Sequence, residues 1–254
     1  MDPGKRWPWR LGTTSYILPD DILPNVRFLG PRVDDIELVL FESGDYGSNL
    51  PGPAVVADLK GLAAEHDLTY TVHLPTDLRP GSAQAHERTR ATDTWSRVVE
   101  LTAPLNPFGY VLHLEAERHG PVPSKDVPTW LGNLERSLEA WLGTGAVRPQ
   151  QVCVETLGYP FELVWPLVQR FGLAVTLDIG HLWMMGYDTE AAMRTLLPHT
   201  RIVHLHGVSG VGGQDHQGLE VTDPALLEAF LKALSEQPGE RVVTLEVFSR
   251  PHLE

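Results

Sequence analysis

The 254-residue sequence has a single cysteine, Cys153, which excludes an internal disulfide and any four-cysteine metal site. Basic residues are also few. Only 20 Lys and Arg stand against 33 Asp and Glu, for a net charge of −13, so a basic nucleic-acid surface is not expected. The first ten residues, MDPGKRWPWR, lack the long apolar run of a signal peptide or membrane span. We therefore expect a cytoplasmic protein with no membrane or nucleic-acid partner.

Short apolar, β-branched runs alternate along the chain with stretches of helical periodicity, a pattern typical of βα units. The pattern predicts eight strands, at residues 11–17, 35–42, 69–74, 109–115, 151–157, 173–179, 201–207 and 241–248. It predicts helices at about residues 20–29, 53–66, 83–104, 127–142, 160–171, 188–197 and 223–236. Eight such units predict one domain over residues 1–254, a (β/α)₈ TIM barrel with an eight-stranded parallel sheet.

The alternative architecture is a doubly wound open sheet. No glycine-rich dinucleotide-binding motif follows the first predicted strand, which weighs against that fold. Polar residues also lie at the ends of almost every predicted strand rather than at one switch point. Both observations favour the barrel.

Imidazole and carboxylate side chains occur at or near the carboxyl ends of most predicted strands. These residues are His73, His113, Glu155, Asp178, His204, His206 and Glu246. In a (β/α)₈ barrel those strand ends converge on one mouth, where active sites are found. Carboxylates in such a mouth repel one another unless a cation neutralises them, so the pattern predicts a divalent metal. Nitrogen and oxygen donors without thiolate suit zinc, manganese or iron.

Further polar residues are predicted around the same mouth. His181 follows the sixth strand, and Asp215 and His216 lie in the glycine-rich segment 207–218 after the seventh. That segment is either a connector or an anion-binding loop, and its Asp-His pair favours the second interpretation. On the second strand, Glu42 is favoured over Glu37 as a mouth contact because it lies nearer the carboxyl end. The segment 44–53 after the second strand is either a lid over the substrate or a turn.

The pattern resembles the xylose-isomerase-like barrels, a superfamily that includes endonuclease IV and sugar isomerases and epimerases. Its shared metal tetrad is matched by Glu155, Asp178, His204 and Glu246. His73 and His113 are similar to two extra histidines of the phosphodiesterase branch, which implies that they join Glu155 on a second metal. His181 is similar to a histidine that binds a third metal in that branch.

Two departures from the superfamily's patterns bear on function. The endonuclease has Asp-x-His in the loop after the seventh strand, whereas Asp215 and His216 are adjacent here, which argues against a complete third site. The epimerases carry an Arg shortly after the seventh-strand His, and none occurs between His204 and Arg241. The second departure weighs against sugar isomerisation.

More narrowly, four segments resemble the cobamide-remodelling phosphodiesterases of this superfamily. They are GTTSYI (12–17), DILPNV (21–26), VDDIELVLFE (33–42) and YTVHL (70–74). The resemblance implies a hydrolase that cuts the nucleotide loop of a corrinoid at its phosphodiester, with one or two divalent ions, manganese first and zinc or iron as alternatives.

The resemblance also implies a set of site residues. Metal ligands would be His73, His113, Glu155, Asp178, His181, His204, His216 and Glu246. Glu155, Glu246 and His206 would be catalytic, and Glu42, Tyr46 and Asp215 would bind substrate. Whether His204 or His206 is the ligand from the seventh strand stays open at this point.

Three other functions fit parts of the pattern. A sugar isomerase or epimerase would use Glu155 and Glu246 as an acid/base pair across one metal. A repair enzyme would cleave DNA at abasic sites, and a non-catalytic protein would only carry a corrinoid or metal. The sequence indicates no oligomeric state.

Overall fold

The computed structural model describes residues 7–43 and 47–254. Eight parallel strands pair in chain order, and the first closes on the last through the register Arg10↔Val242, so the predicted (β/α)₈ TIM barrel is confirmed. We number the barrel strands β1 (Arg10–Thr14), β2 (Asp35–Val39), β3 (Thr69–His73), β4 (Tyr110–Leu112), β5 (Val152–Glu155), β6 (Ala174–Asp178), β7 (Thr200–Leu205) and β8 (Val242–Leu245).

Nine α-helices occur in the described residues. They are α1 (Ile22–Leu29), α2 (Pro53–His66), α3 (Ala85–Thr102), α4 (Val127–Leu142), α5 (Trp165–Phe171), α6 (Ile179–Met185), α7 (Thr189–Leu196), α8 (Pro224–Ser235) and α9 (Arg250–Leu253). Short 3₁₀ turns occur at Ala103–Leu105, Pro149–Gln151, Phe161–Leu163, Leu197–His199 and Leu219–Val221.

The structure corrects the sequence prediction in several places. The strands are shorter than predicted at their carboxyl ends, so His113, His206 and Glu246 lie just beyond β4, β7 and β8. Helix α6 was not predicted: it begins directly after β6, where the Asp178 carboxylate accepts the backbone N–H of His181 at 2.7 Å. The predicted helix 160–171 is a 3₁₀ turn followed by α5. A two-stranded hairpin, Glu42–Ser43 with Gly47–Ser48, follows β2.

Helix α4 shows how the outer helices pack on the barrel. Its buried residues recur at helical spacing: Trp130, Asn133, Leu134, Ser137, Leu138 and Trp141. Asp126 caps its N-terminus by accepting the Thr129 N–H at 3.1 Å. Trp141 also packs on Trp95 of α3, with ring centroids 4.9 Å apart. Burial of each of the two leucines, Leu134 and Leu138, contributes about 1.5–3 kcal/mol to the free energy of unfolding.

Part of the barrel floor is apolar and lies below a polar upper layer. Val111, Cys153, Ala174 and Ile202 form a separate buried cluster. Because inward side chains alternate along a strand, His113, Glu155 and His204 lie one inward step nearer the mouth. The floor therefore supports the polar side chains from below. Within the described residues, no helix is both long and apolar enough to cross a bilayer.

Candidate metal centre

Glu155, at the end of β5, joins two groups of side chains in the barrel mouth. Its Oε2 atom lies 2.9 Å from His113 Nε2 and 3.3 Å from His73 Nε2. Its Oε1 atom lies 3.6 Å from His204 Nδ1 on β7. The two oxygens of one buried carboxylate thus face different donor groups.

The group on the Oε1 side consists of Glu155, Asp178, His204 and Glu246, all of them buried. His204 Nδ1 lies 3.2 Å from Glu246 Oε2 and 3.9 Å from Asp178 Oδ2. One donor atom from each of the four residues falls within 4.8 Å of the others. The same distance limit holds for the donor atoms of the group on the Oε2 side, which consists of His73, His113 and Glu155.

A third group contains His181, His206 and His216, whose rings contact one another. Asp178 links it to the tetrad, because its Oδ1 atom lies 3.2 Å from His206 Nε2. His216 is held by its ring, with Nδ1 3.0 Å from the Glu246 carbonyl oxygen, and by its backbone N–H, which donates to His206 Nδ1 at 3.0 Å. Its backbone adopts φ of 51°, in the left-handed region, so this loop position is strained.

The side chains around the centre shift one another's pKa values in opposite directions. Burial lowers the pKa of His113, but Glu155 and Glu115 raise it more, to about 10. Burial likewise lowers the pKa of His204, and Glu246, Glu37 and Glu155 raise it well above its usual value. Burial raises the pKa of Glu155, and His113 and His204 bring it well below the usual range. The carboxylates therefore create a negative potential that stabilises cations.

Two observations indicate that this donor set fits a divalent metal. Five buried atoms that face the centre have no hydrogen-bond partner within the described residues: Glu155 Oε1, Asp178 Oδ2, His204 Nδ1, His206 Nε2 and Glu246 Oε2. The described ion pairs of Glu155, Asp178 and Glu246 involve only imidazoles, never Lys or Arg. Buried charges without such partners are satisfied when they coordinate a metal.

Two carboxylates that the sequence interpretation did not place in the centre contact its histidines. Glu37, on β2, lies 2.9 Å from His204 Nε2, and both side chains are fully buried. Glu115, after β4, lies 3.7 Å from His113 Nδ1 and accepts a hydrogen bond from His119. The alternation of β2 was the available signal, because Asp35, Glu37 and Val39 share the inward face.

Two of the predicted substrate contacts, Glu42 and Asp215, lie outside the three groups. Glu42 belongs to the hairpin after β2, where its carboxylate pairs with Arg97 of α3. Asp215 is half-exposed in the loop after β7, with Oδ2 3.8 Å from His216 Nε2. Tyr46 lies outside the described residues. His206, predicted to be catalytic, is fully buried, whereas 27% of the His216 side chain and 14% of the His181 side chain are exposed.

The loops after β1 and β2 contact each other beside the mouth. Asn49 joins them: its Nδ2 donates to Tyr16 Oη at 3.2 Å and to the Val39 carbonyl oxygen at 2.9 Å. A cavity of about 400 Å³ lies between the loops and is lined by Tyr16, Ile22, Leu50 and Val55 among others. The described parts of the two loops thus form one continuous surface beside the mouth, with both polar and apolar side chains.

Comparison with known proteins identifies the family. The sequence profile of the xylose isomerase-like TIM barrel family matches residues 30–254, so the chain belongs to that family. No curated protein gives a significant sequence match.

Several solved structures share the fold. A D-tagatose 3-epimerase-like protein is 19% identical, with a TM-score of 0.77 over 96% of this chain and 92% of the other. Endonuclease IV from Thermus thermophilus is 19% identical, with a TM-score of 0.64 over 92% and 91%. D-psicose 3-epimerase from Clostridium cellulolyticum is 14% identical, with a TM-score of 0.65 over 92% and 84%.

Proposed function

We propose that this chain is a metal-dependent phosphodiesterase that hydrolyses the nucleotide loop of cobamides. The observation that carries the proposal is the position of Glu155, whose two oxygens face the His73–His113 pair and the tetrad separately. This arrangement offers donors for two ions, a number suited to phosphodiester cleavage, whereas the sugar isomerase predicted as the alternative would use one. The four N-terminal segments that resemble cobamide-remodelling phosphodiesterases supply the proposed substrate.

One ion would be held by His73, His113 and Glu155, and the other by Glu155, Asp178, His204 and Glu246. The donors are nitrogen and oxygen without thiolate, which suits manganese, zinc or iron, and the resemblance to cobamide-remodelling phosphodiesterases places manganese first. When bound, such ions lower the pKa of water and neutralise the charge that develops on the phosphoryl oxygens.

The third group would act on the substrate directly. His181 and His216 are partly exposed, and each has Nδ1 close to a backbone carbonyl oxygen, at 3.1 and 3.0 Å, which directs Nε2 elsewhere. These rings are placed to hold the phosphate or to protonate the leaving oxygen. His206 is fully buried against Asp178, so we assign it to positioning that carboxylate rather than to substrate contact.

The test is incubation of manganese-loaded protein with cobalamin, followed by chromatography with mass detection. The expected product is a corrinoid that lacks its nucleotide loop, formed over many turnovers and absent after chelation. Its mass would identify the bond that breaks, and turnover beyond one equivalent would exclude a carrier. A folded, metal-loaded protein that leaves cobalamin intact would overturn the proposed substrate.

A sugar epimerase is the second candidate. It is favoured by the tetrad, in which both Glu155 and Glu246 lie close to His204 Nδ1, at 3.6 and 3.2 Å. The fold is also shared with a D-tagatose 3-epimerase-like protein and D-psicose 3-epimerase. Incubation with D-tagatose and D-psicose separates the two proposals, because epimer formation with intact cobalamin would establish the second.

A further inference from the structure

Glu37 is a buried acid that the proposed reaction does not use. It lies on β2 with its side chain inside the barrel, and its exposure is 0%. Its Oε2 atom lies 2.9 Å from His204 Nε2, and its Oε1 atom has no hydrogen-bond partner within the described residues. A side chain buried this deeply cannot touch a substrate, so any role must pass through His204.

When a metal replaces one proton of the His204 ring, this contact determines which nitrogen keeps the other. A neutral imidazole has one N–H and one lone pair. A carboxylate accepts hydrogen bonds, so Glu37 retains the proton on Nε2 and leaves the lone pair on Nδ1. That atom lies 3.2 Å from Glu246 Oε2 and 3.6 Å from Glu155 Oε1, on the side of the tetrad.

Two other histidines of the centre, His73 and His216, are held differently. His73 places Nδ1 2.9 Å from the Leu74 carbonyl oxygen, and His216 places Nδ1 3.0 Å from the Glu246 carbonyl oxygen. Both rings therefore direct Nε2 away from the backbone. The ring of His204 has the opposite orientation, because its Nε2 contacts Glu37 and its Nδ1 faces the tetrad. The partner of its Nε2 is a carboxylate instead of a backbone carbonyl.

We propose that Glu37 is a positioning residue that fixes the His204 proton on Nε2 and thereby makes Nδ1 the metal donor from β7. The proposal rests on the metal centre of the proposed function but not on its substrate. Partners of this kind fix ring orientation and raise the basicity of the ligand, and their loss costs about 10–100-fold in metal affinity.

The first test is nitrogen-15 NMR of the imidazoles in the zinc-loaded protein, with the His204 signals assigned by their loss in His204→Gln. The expected pattern is a protonated Nε2 and a metal-shifted Nδ1. A protonated Nδ1 with a metal-shifted Nε2 would overturn the proposal. This measurement uses the wild-type chain and needs no substrate.

The second test is metal titration by calorimetry of Glu37→Leu and Glu37→Gln. Leucine removes the acceptor, so affinity at the tetrad should fall about 10–100-fold. Glutamine retains a carbonyl that can accept the Nε2 proton, so its affinity should lie between those of Glu37→Leu and the wild type. Affinity at the His73–His113 group should change less than affinity at the tetrad in both variants.

Asp35→Asn is the matched control, since Asp35 is also buried on β2 but bonds two threonine hydroxyls instead of an imidazole. It should bind metal like the wild type. If a folded Glu37→Leu protein binds metal with wild-type affinity, Glu37 has only a structural role and the proposal is wrong. If that variant does not fold, Glu37→Gln and the NMR experiment decide. Intact cobalamin together with the expected NMR pattern would reject the substrate and retain the positioning role.

Discussion

The carboxylate of Glu155 lies 2.9 Å from the imidazole of His113, through Oε2 and Nε2. The opposite oxygen of the same carboxylate faces His204 at 3.6 Å. One side chain at the end of β5 therefore connects a histidine pair from β3 and β4 with the tetrad from β5 to β8. A one-metal enzyme would not require the histidine pair, so these residues offer the sharpest test of the reaction class.

His113→Ala should lower cobamide hydrolysis by about 10²-fold or more, because it removes a donor to one of the two ions proposed for phosphodiester cleavage. Steady-state rates and bound metal measured by mass spectrometry check this. We expect metal to be lost from the His73–His113 group and retained by the tetrad.

His86→Ala provides the control for His113→Ala. His86 is 73% exposed on α3 and contacts only Glu87 among its described ion pairs, so its loss should leave activity unchanged. Full activity in His113→Ala would exclude a two-metal hydrolase and favour a reaction on the tetrad alone.

Metal removal should destabilise the fold, because Glu155, Asp178 and Glu246 converge without Lys or Arg partners. An ion at 100 times its Kd adds about 2.7 kcal/mol to the free energy of unfolding. For a chain of this size that corresponds to about 5–10 °C in Tm. Thermal unfolding with manganese and with chelator measures the difference. An equal Tm in both would argue that no metal binds here.

Asp35 should make stability depend on pH. Its carboxyl is buried between the hydroxyls of Thr69 and Thr71, and burial raises its pKa from 3.8 to about 7. Between these values the folded protein keeps a proton that the unfolded chain releases, so the free energy of unfolding contributed by this group falls as pH rises. Above about pH 7 both states are ionised and the contribution is constant.

The substitution Asp35→Asn removes the ionisable carboxyl and with it this dependence of stability on pH. Its unfolding free energy relative to the wild type should therefore increase by about 3 kcal/mol between pH 5 and pH 8. Urea unfolding of both proteins with chelator at each pH checks this, since contributions from other groups cancel in the difference. A difference that stays constant with pH would mean that Asp35 ionises normally in the folded protein.

Gly180 should resist substitution because the His206 ring lies against its backbone. A Cβ atom built at Gly180 would lie 2.4 Å from His206 Nε2. Gly180→Ala should cost about 1–3 kcal/mol and displace His206 from Asp178, lowering metal affinity as well as stability.

Gly132→Ala is the matched control for Gly180→Ala. Gly132 lies in α4 with nothing within 4 Å of its built Cβ, so alanine should stabilise the protein by about 0.5–1 kcal/mol. Urea unfolding and metal titration of both variants check the pair. Wild-type behaviour of Gly180→Ala would show that the ring has room to move.

The fold could be predicted from the sequence because its determinants are local. Alternation of apolar runs with helical periodicity located all eight strands, since each strand must bury its side chains on both faces of the barrel wall. Helix α6 was missed because it follows β6 without a loop, and its first residue, Ile179, was included in the predicted strand 173–179.

The sequence also determined which residue types stand at the carboxyl ends of the strands, and hence the chemistry of the donor set. Tertiary structure decided the orientation of those side chains. Glu42 lies nearer the end of the predicted strand 35–42 than Glu37, yet it belongs to the hairpin after β2 and pairs with Arg97, while Glu37 reaches His204. His206 is buried, whereas His216 is partly exposed at the mouth. This difference depends on the loop after β7, which folds back so that His216 lies beside His206. Such contacts join residues far apart in the chain, and only closure of the barrel brings them together.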